Sequence, residues 1–392
     1  MIAYTPAWAA RLVAAFDASG VHRMCMPGDA ASGEWLCDAA IGAGAAVARM
    51  DVPTSRISVE EARITCSGVR LDGLPMFDSP PTDATGVEGR LVACGESGEI
   101  GYLELPPNSA SIKGMRFEEI RRKSQHAAIV VATRVSGESL APINAQYYDS
   151  PFGPPVLLVA GMHHAFFQDQ VKSGARATVL SVMKREPASS FNVSALIAST
   201  ASTASTASRS AAPPVVVLTP RTGWWESTAE RAGGIVAWLA AMTTAAERAR
   251  QHGLPCDVHG FATCGHELGH VGLQVLLAQR RELLQPGVRW LHLGANLGCA
   301  SNTTLIIRAH DPAEAQPMRD ALVRHGYPAP LIKAEPMSQA SGEARDVVEH
   351  GGHVLSIVGN NAHFHAASDR WPANVNAAHV AAIAGAVSEW LP

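Results

Sequence analysis

Short runs of β-branched residues alternate with longer helix-like segments from about residue 215 to the end of the chain. Between the first two runs, Ile235, Leu239, Met242 and Ala246 recur at helical spacing, which predicts a helix with one apolar face toward a sheet. The runs that predict strands are 215–218, 258–263, 290–293, 303–307 and 354–358, and the last predicted helix has apolar positions at Val380, Ile383, Val387 and Trp390. This alternation is typical of an α/β fold with a mostly parallel sheet.

The stretch between residues 86 and 182 has a different character. Strand-like runs at 90–94, 128–132 and 156–160 are joined there by segments rich in proline and glycine. We therefore predict a β-rich domain over residues 86–182, inserted into a core made of residues 1–85 and 183–392. The segment 198–212 consists almost only of small residues, so it can bury little apolar area and is predicted to be a surface loop.

The composition narrows the class of function. Of 392 residues, 47% are hydrophobic and 17% are charged, and the net charge is −4, so no basic field for nucleic acid or for an anionic membrane is expected. The expected partner is a small molecule or a peptide. Seven scattered cysteines without a CxxC pair predict reduced thiols in the cytoplasm, and neither a secretory leader nor an apolar run of roughly 18 residues is visible.

The segment 261–272, FATCGHELGHVG, places His266, Glu267 and His270 at HExxH spacing. On a helix, this spacing puts two imidazoles on one face as zinc ligands, with a glutamate base beside them. The predicted strand 258–263 comes directly before the motif, however, and favours a strand-to-helix turn at the edge of a sheet. The second interpretation is preferred here.

Several segments follow one another in an order that invites comparison. They are 190–197 (SFNVSALI), 214–218 (PVVVL), 227–234 (STAERAGG), 265–272 (GHELGHVG), 290–295 (WLHLGA) and 364–369 (FHAASD), preceded by the segment 20–52 with its Pro27-Gly28 turn. In this order and spacing the chain resembles the di-zinc aminopeptidase and glutaminyl cyclase family, and residues 86–182 are similar to a protease-associated domain. The resemblance implies a three-layer, zinc-exopeptidase-like core with a mixed, mostly parallel sheet. It also implies that His270 lies one turn into a helix as a structural histidine.

In that family, two zinc ions are held by two histidines and three carboxylates. By the resemblance, the first histidine position falls within 219–222, which contains no imidazole, the bridging aspartate falls on Ala229, and the later carboxylate falls on Gly294. Two divalent cations about 3.5 Å apart repel by roughly 19 kcal/mol at an effective dielectric constant of about 20, so they need a bridging carboxylate. A di-zinc centre is therefore not expected.

Three of the family's positions keep a polar side chain. By the resemblance, Glu267 matches a ligand glutamate, His365 matches the last histidine ligand, and His266 replaces the general-base glutamate. The expected cofactor is either none or one zinc ion, with Glu267 and His365 as its ligands.

Two functions remain open from the sequence. The first is hydrolysis of an amide or peptide-like bond of a small substrate by an aminopeptidase- or amidase-type enzyme, and the second is non-catalytic binding of a peptide or small molecule in the same cleft. The candidate catalytic residues are His266, Glu267 and Glu230, and the candidate substrate-binding residues are Arg221, Trp224, Trp225, Arg231 and His363. Arginines clamp carboxylates and tryptophans stack on planar groups, which motivates the second set. The family's insert often makes subunit contacts, so the resemblance also implies a homodimer as a candidate assembly.

Overall fold

The structure is a computed structural model, and it describes residues 3–109, 117–135, 140–199, 212–301 and 303–392. Residues 200–211 of the predicted surface loop lie outside this part. The described helices are α1 (Pro6–Asp17), α2 (Pro27–Ala43), α3 (Phe117–Lys123), α4 (His164–Ser173), α5 (Thr228–Gln251), α6 (Val271–Gln279), α7 (Pro312–Arg324), α8 (Gly342–Glu349) and α9 (Ala377–Trp390). The described strands are β1 (Ala46–Cys66), β2 (Val69–Asp72), β3 (Leu74–Pro75), β4 (Val87–Ala93), β5 (Ile100–Leu105), β6 (Ala128–Thr133), β7 (Val156–Ala160), β8 (Arg176–Ile197), β9 (Val215–Pro220), β10 (Val258–Thr263), β11 (Arg289–Leu293), β12 (Leu305–Ala309), β13 (Ile332–Pro336) and β14 (His353–Gly359).

The core sheet has the strand order β13-β12-β14-β11-β9-β10-β8, and β1 pairs with β8 beyond it. The pairs β9–β10, β9–β11, β11–β14 and β12–β13 are parallel, whereas β12–β14, β8–β10 and β1–β8 are antiparallel. The predicted mixed, mostly parallel α/β sheet is therefore confirmed.

Strand β9 shows how the sheet separates two helical layers. Its side chains alternate between the two faces, because successive residues of a strand point in opposite directions. Val215 and Val217 belong to an apolar cluster formed with helices α1, α2, α5, α7 and α9. Val216 and Leu218 belong to a second cluster, formed with α6 and α8. The architecture is thus three-layered, with the sheet between two sets of helices.

A second group of strands lies within residues 86–182. Strands β4, β5, β6 and β7 pair in parallel in this order, and β3 adds to β7 in antiparallel fashion. This group has its own apolar clusters on the strands β5 to β7. It is joined to the core by β1 and β8, strands of 21 and 22 residues that pair along most of their length, and by the β4–β8 pairing. The division at residues 86 and 182 and its protease-associated character stay predictions.

The predicted strands of the core correspond to β9, β10, β11, β12 and β14, with boundaries that differ by up to two residues. Strand β13 was not predicted, because its residues IKAEP have only one buried position and no apolar run. The length of β1 was not predicted either. Its burial pattern alternates only weakly, since much of it bridges the core and the second group of strands.

Candidate active site

Strands β9, β10, β11 and β14 are mutually parallel along the centre of the sheet, so their carboxyl ends lie at one edge. In open α/β sheets, this edge is where ligands bind. The loops that follow these strands carry Thr222, His266 and Glu267, and the first turn of α5 carries Glu230 and Arg231. These segments form the candidate active site.

Glu230 and Arg231 form an ion pair inside the protein. Arg231 Nη2 lies 2.6 Å from Glu230 Oε1, and neither side chain has any exposed surface. Arg231 Nε donates a hydrogen bond of 2.6 Å to the carbonyl of Thr222. A guanidinium keeps its charge at any pH at which the protein is folded, so this site contains a permanent cation.

His365 contacts the same carboxylate from the other side. Its Nε2 lies 3.6 Å from Glu230 Oε1, and its Nδ1 is 2.7 Å from the carbonyl oxygen of Pro142. A ring nitrogen that faces a carbonyl carries the proton, so Nδ1 donates to Pro142 and Nε2 faces Glu230. Burial lowers the pKa of His365. Glu230 and His365, two candidate residues from distant parts of the sequence, are therefore neighbours in the structure.

Asp369 holds the His365 segment against the start of α5. Its carboxylate accepts hydrogen bonds of 3.0 Å from the backbone N–H groups of Ala229 and Glu230. Such bonds satisfy the unpaired N–H groups at a helix N-terminus. Burial, followed by the charge of Glu230, raises the pKa of Asp369 to about 7.

Both carboxylate oxygens of Glu267 are occupied by structural hydrogen bonds. Oε1 accepts from the backbone N–H of Met24 at 2.7 Å, and Oε2 accepts from the Thr222 hydroxyl at 2.7 Å. The side chain is completely buried, and burial raises the pKa of its carboxyl group. Glu267 therefore ties the amino-terminal segment to the site through one hydrogen bond on each carboxylate oxygen, and its roles as base and metal ligand stay predictions.

His266 lies beside a carboxylate that sequence analysis missed. Its Nδ1 is 3.6 Å from Glu343 Oε1, and this oxygen accepts a hydrogen bond of 2.8 Å from the Thr263 hydroxyl. Burial raises the pKa of Glu343 to about 7 and lowers the pKa of His266 well below its usual value. Nδ1 of His266 and Oε2 of Glu343 are buried without a hydrogen-bond partner among the described residues. Glu343 stands in α8, where no motif indicates it, and only the packing of α8 beside β10 brings it to His266.

The HExxH spacing is not on a helix. Residues 266–270 form turns, and α6 begins at Val271, directly after His270, which has a φ of 56°. The expectation that His270 lies one turn into the helix is therefore wrong. Nδ1 of His270 is 2.8 Å from Asp346 Oδ2, so His270 is a hydrogen-bonded structural histidine, as the sequence suggested.

A cavity of about 860 Å³ opens beside His266. His292 lines it, and Nδ1 of His292 is 2.8 Å from the Ser356 hydroxyl, while burial lowers the pKa of His292 to about 3. His292 is consequently neutral at physiological pH. Asn108 and Arg134, which follow β5 and β6, also line the cavity, and other polar lining residues are Asn296, Arg308, Gln339 and Asn361.

The remaining candidate residues have other partners. Arg221 is 1% exposed and its guanidinium lies 2.6 Å from Asp29 Oδ1, which corrects its predicted role as a substrate clamp. Trp224 is also 1% exposed, and its indole N–H donates to Asn144 Oδ1, so its ring faces are not available for stacking on a ligand. Trp225 is only partly buried, and its indole N–H donates to the carbonyl of His365. His363 lies in a turn, not on a strand, with Nδ1 2.9 Å from the Ser368 hydroxyl.

Gly294, on which the resemblance places the later carboxylate, is closely packed by two side chains. A Cβ atom there would lie 2.6 Å from Val358 Cγ1 and 2.8 Å from His292 Cε1. Within the described ranges, no three His, Cys, Asp or Glu side chains are grouped as metal ligands.

The fold and the position of this site define the class: the chain has the fold of the zinc exopeptidases. It is similar over 100% of its length to a zinc aminopeptidase from Bacillus subtilis, with a TM-score of 0.75, 13% identity and 96% of that chain covered. A peptidase M28 precursor from Shewanella amazonensis SB2B gives a TM-score of 0.70 at 12% identity, with 97% of this chain and 91% of that chain covered. An aminopeptidase from Aneurinibacillus sp. strain AM-1 gives 0.69 at 12% identity, with 98% and 93% covered.

No sequence profile of a known family matches the chain, and no curated protein matches it. The likeness to solved structures, at these identities, therefore establishes the fold alone. Among the helices of the described residues, none has the length and apolarity needed to cross a membrane.

Proposed function

We propose that this protein binds a small amide- or peptide-like molecule in the cavity beside His266, and that it does so without the zinc pair of the related fold. The cavity of about 860 Å³ has the size of a small-molecule site and lies at the carboxyl edge of the sheet. Its wall contains neutral imidazoles and amides, which suit a ligand that both donates and accepts hydrogen bonds.

The ion pair between Arg231 and Glu230 carries the part of this proposal that concerns the absent zinc pair. The guanidinium of Arg231 lies 2.6 Å from Glu230, which His365 also faces. It supplies at this place the positive charge that a metal ion would supply. A second cation at the same carboxylate would be repelled by it, and the low dielectric of a fully buried site strengthens that repulsion.

Two further contacts support a site without a zinc pair. Glu267 uses both oxygens for Met24 and Thr222, and the space beside Gly294 is filled by Val358 and His292. The residues present therefore do not fit two zinc ions, and none of the chemistry proposed here passes through a metal.

Hydrolysis of the bound amide is a second candidate function, and the pair His266–Glu343 favours it. Above pH 7, Glu343 is a carboxylate with a raised pKa, which is the property of a general base near neutral pH. Glu343 is completely buried and does not line the cavity, whereas His266 does. A water molecule in the cavity would attack the amide carbon while its proton passes to His266, which faces the carboxylate of Glu343. The proton then passes to the leaving nitrogen as the C–N bond breaks. In this scheme His266 and Glu343 together take the role of base that the sequence assigned to His266 and Glu267.

The test combines metal analysis, binding and turnover on the purified full chain. Elemental analysis should find no stoichiometric zinc. Amino-acid amides, dipeptides and N-acyl amino acids are then screened by thermal shift and by product release. A control for His266→Ala is His259→Ala, since His259 is a half-buried histidine on the preceding strand β10 and does not line the cavity.

Binding that His266→Ala weakens and His259→Ala retains supports the cavity as the site. Turnover that is lost in Glu343→Gln supports hydrolysis, and binding without turnover supports a non-catalytic protein. Stoichiometric zinc whose removal abolishes binding would overturn the metal-free site. The predicted homodimer and the cytoplasmic location stay predictions.

A further inference from the structure

An open groove of about 530 Å³ lies next to Trp225 and shares no lining residue with the cavity beside His266. We call it the Arg23 groove. Its walls are formed by Arg23, Met26, Ile57, Val59, Leu74 and Trp225, and the polar residues Arg56 and Ser58 complete the lining. The groove therefore combines two arginines with a mostly apolar wall.

Arg23 is partly buried and has no acidic partner within ion-pair distance among the described residues. Its guanidinium lies 5.2 Å from the centre of the Phe77 ring, and its Nη2 lies 3.8 Å from the sulfur of Met26. Burial lowers the pKa of Arg23, and Glu267 opposes this effect. Both oxygens of Glu267 are nevertheless bound to other donors, as described above. The charge of Arg23 is thus partly desolvated without a direct counter-ion, which is unfavourable until an anion binds.

The second arginine of the groove is already compensated. Arg56 Nη2 lies 3.1 Å from Glu186 Oε2, and about half of each of these side chains is exposed. The groove therefore offers one uncompensated positive charge, which matches a ligand with a single negative charge. A planar guanidinium binds a carboxylate through two parallel hydrogen bonds.

The walls favour an apolar group on the same ligand. Trp225 directs its indole N–H to the carbonyl of His365, so its ring presents carbon atoms to the groove. Val59 is 36% exposed, and Met26 is partly exposed as well. Covering these side chains would remove apolar surface from water and stabilise the complex.

We propose that the Arg23 groove binds a small carboxylate that carries an alkyl or aryl group. The carboxylate pairs with Arg23, and the apolar group lies against Trp225, Met26 and Val59. This site is separate from the cavity beside His266 and does not depend on the function proposed for that cavity.

The experiment measures binding of octanoate and 4-phenylbutyrate to the full chain by ligand-observed NMR, with octanamide and 4-phenylbutyramide as uncharged counterparts. Each carboxylate should bind about tenfold more tightly than its amide, because only the carboxylate pairs with the guanidinium. Arg23→Met should weaken carboxylate binding by about tenfold and leave amide binding unchanged. Arg23→Lys, which keeps the charge without the planar fork, should fall between the two.

Arg176→Met is the matched control and should bind octanoate as the unmodified protein does, since Arg176 does not line the groove and its charge is paired with Glu88 at 3.0 Å. His266→Ala should also leave octanoate binding unchanged, which separates this site from the cavity. Circular dichroism and thermal unfolding verify that each variant is folded. The proposal is wrong if octanoate does not bind at millimolar concentration, if octanoate and octanamide bind equally, or if Arg23→Met and Arg23→Lys both bind octanoate like the unmodified protein.

Discussion

The guanidinium of Arg231 is 2.6 Å from the carboxylate of Glu230, and His365 Nε2 is 3.6 Å from the same oxygen, with all three side chains buried. The positive charge of Arg231 is therefore paired with the negative charge of Glu230 at this point of the site. A buried ion pair is costly to break because the remaining partner stays desolvated, whereas removing both charges is often nearly neutral.

The first prediction concerns this pair and the stability of the fold. Arg231→Met should lower the free energy of unfolding by about 3–5 kcal/mol, since it leaves the Glu230 charge unpaired. The double variant Glu230→Gln/Arg231→Met should recover most of that loss. Urea unfolding followed by circular dichroism measures both. Arg56→Met, which breaks an exposed pair, should cost less than about 1 kcal/mol. Equal instability of the single and double variants would show that the charge pairing is not the cause.

The second prediction concerns metal binding. Removing the guanidinium in Arg231→Ala leaves Glu230 and His365 at a separation compatible with two ligands of one zinc ion. Zinc should then raise the melting temperature of this variant, because a ligand that binds only the folded state stabilises it. The unmodified protein should show no such shift. Adding His365→Ala to Arg231→Ala should abolish the effect, and a persistent shift would place the zinc elsewhere.

The third prediction follows from the raised pKa of Glu343, which is about 7 in the folded protein against an ordinary value of 4.5. Between these two values the folded state binds more protons than the unfolded state, so stability falls as the pH rises. The contribution of Glu343 to stability is complete below pH 4.5 and is lost as the pH passes 7.

Glu343→Gln keeps the neutral form at every pH. It should match the unmodified protein at pH 4 and be more stable by about 1–3 kcal/mol at pH 8. Urea unfolding at both pH values gives the difference. Glu349→Gln is the control, because Glu349 stands on the same helix with an exposed side chain. A constant difference between the Glu343 variant and the unmodified protein across this range would contradict the raised pKa.

The fourth prediction concerns Gly294. Gly294→Ala places a Cβ atom 2.6 Å from Val358 Cγ1, so the neighbours must shift, and the free energy of unfolding should fall by about 1–3 kcal/mol. Gly42→Ala is the control, since nothing lies within 4 Å of its Cβ position and alanine favours the helix α2 by about 0.5–1 kcal/mol. Thermal unfolding compares the two. An unaffected Gly294→Ala protein would show that Val358 and His292 can move aside and that the space beside Gly294 is not filled.

Much of the core was predictable because its signals are local. The apolar stripe of α5 and the β-branched runs of β9, β10 and β14 reflect burial that repeats along one element. Strand β13 was not predicted because it lies at the edge of the sheet, where few of its residues are buried and no apolar run marks it in the sequence.

The site was predictable only in part. The sequence named Glu230 and His365 as candidate residues, and the structure places them 3.6 Å apart, but the sequence did not indicate that Arg231 pairs with Glu230. No local pattern identified Glu343. None indicated that the carboxylate oxygens of Glu267 accept hydrogen bonds from Met24 and Thr222.

By itself, then, the sequence determined the layered α/β architecture and the segments that line the carboxyl edge of the sheet. Only the tertiary structure decided which polar side chains form hydrogen bonds or ion pairs within the protein and which do not. Periodicity records how often a residue is buried, but a hydrogen bond or an ion pair depends on partners that the chain brings together from distant positions. Arg221 and Arg231 are the same residue type ten positions apart, yet Arg221 pairs with Asp29 and Arg231 pairs with Glu230. Nothing in the local sequence distinguishes these two partners.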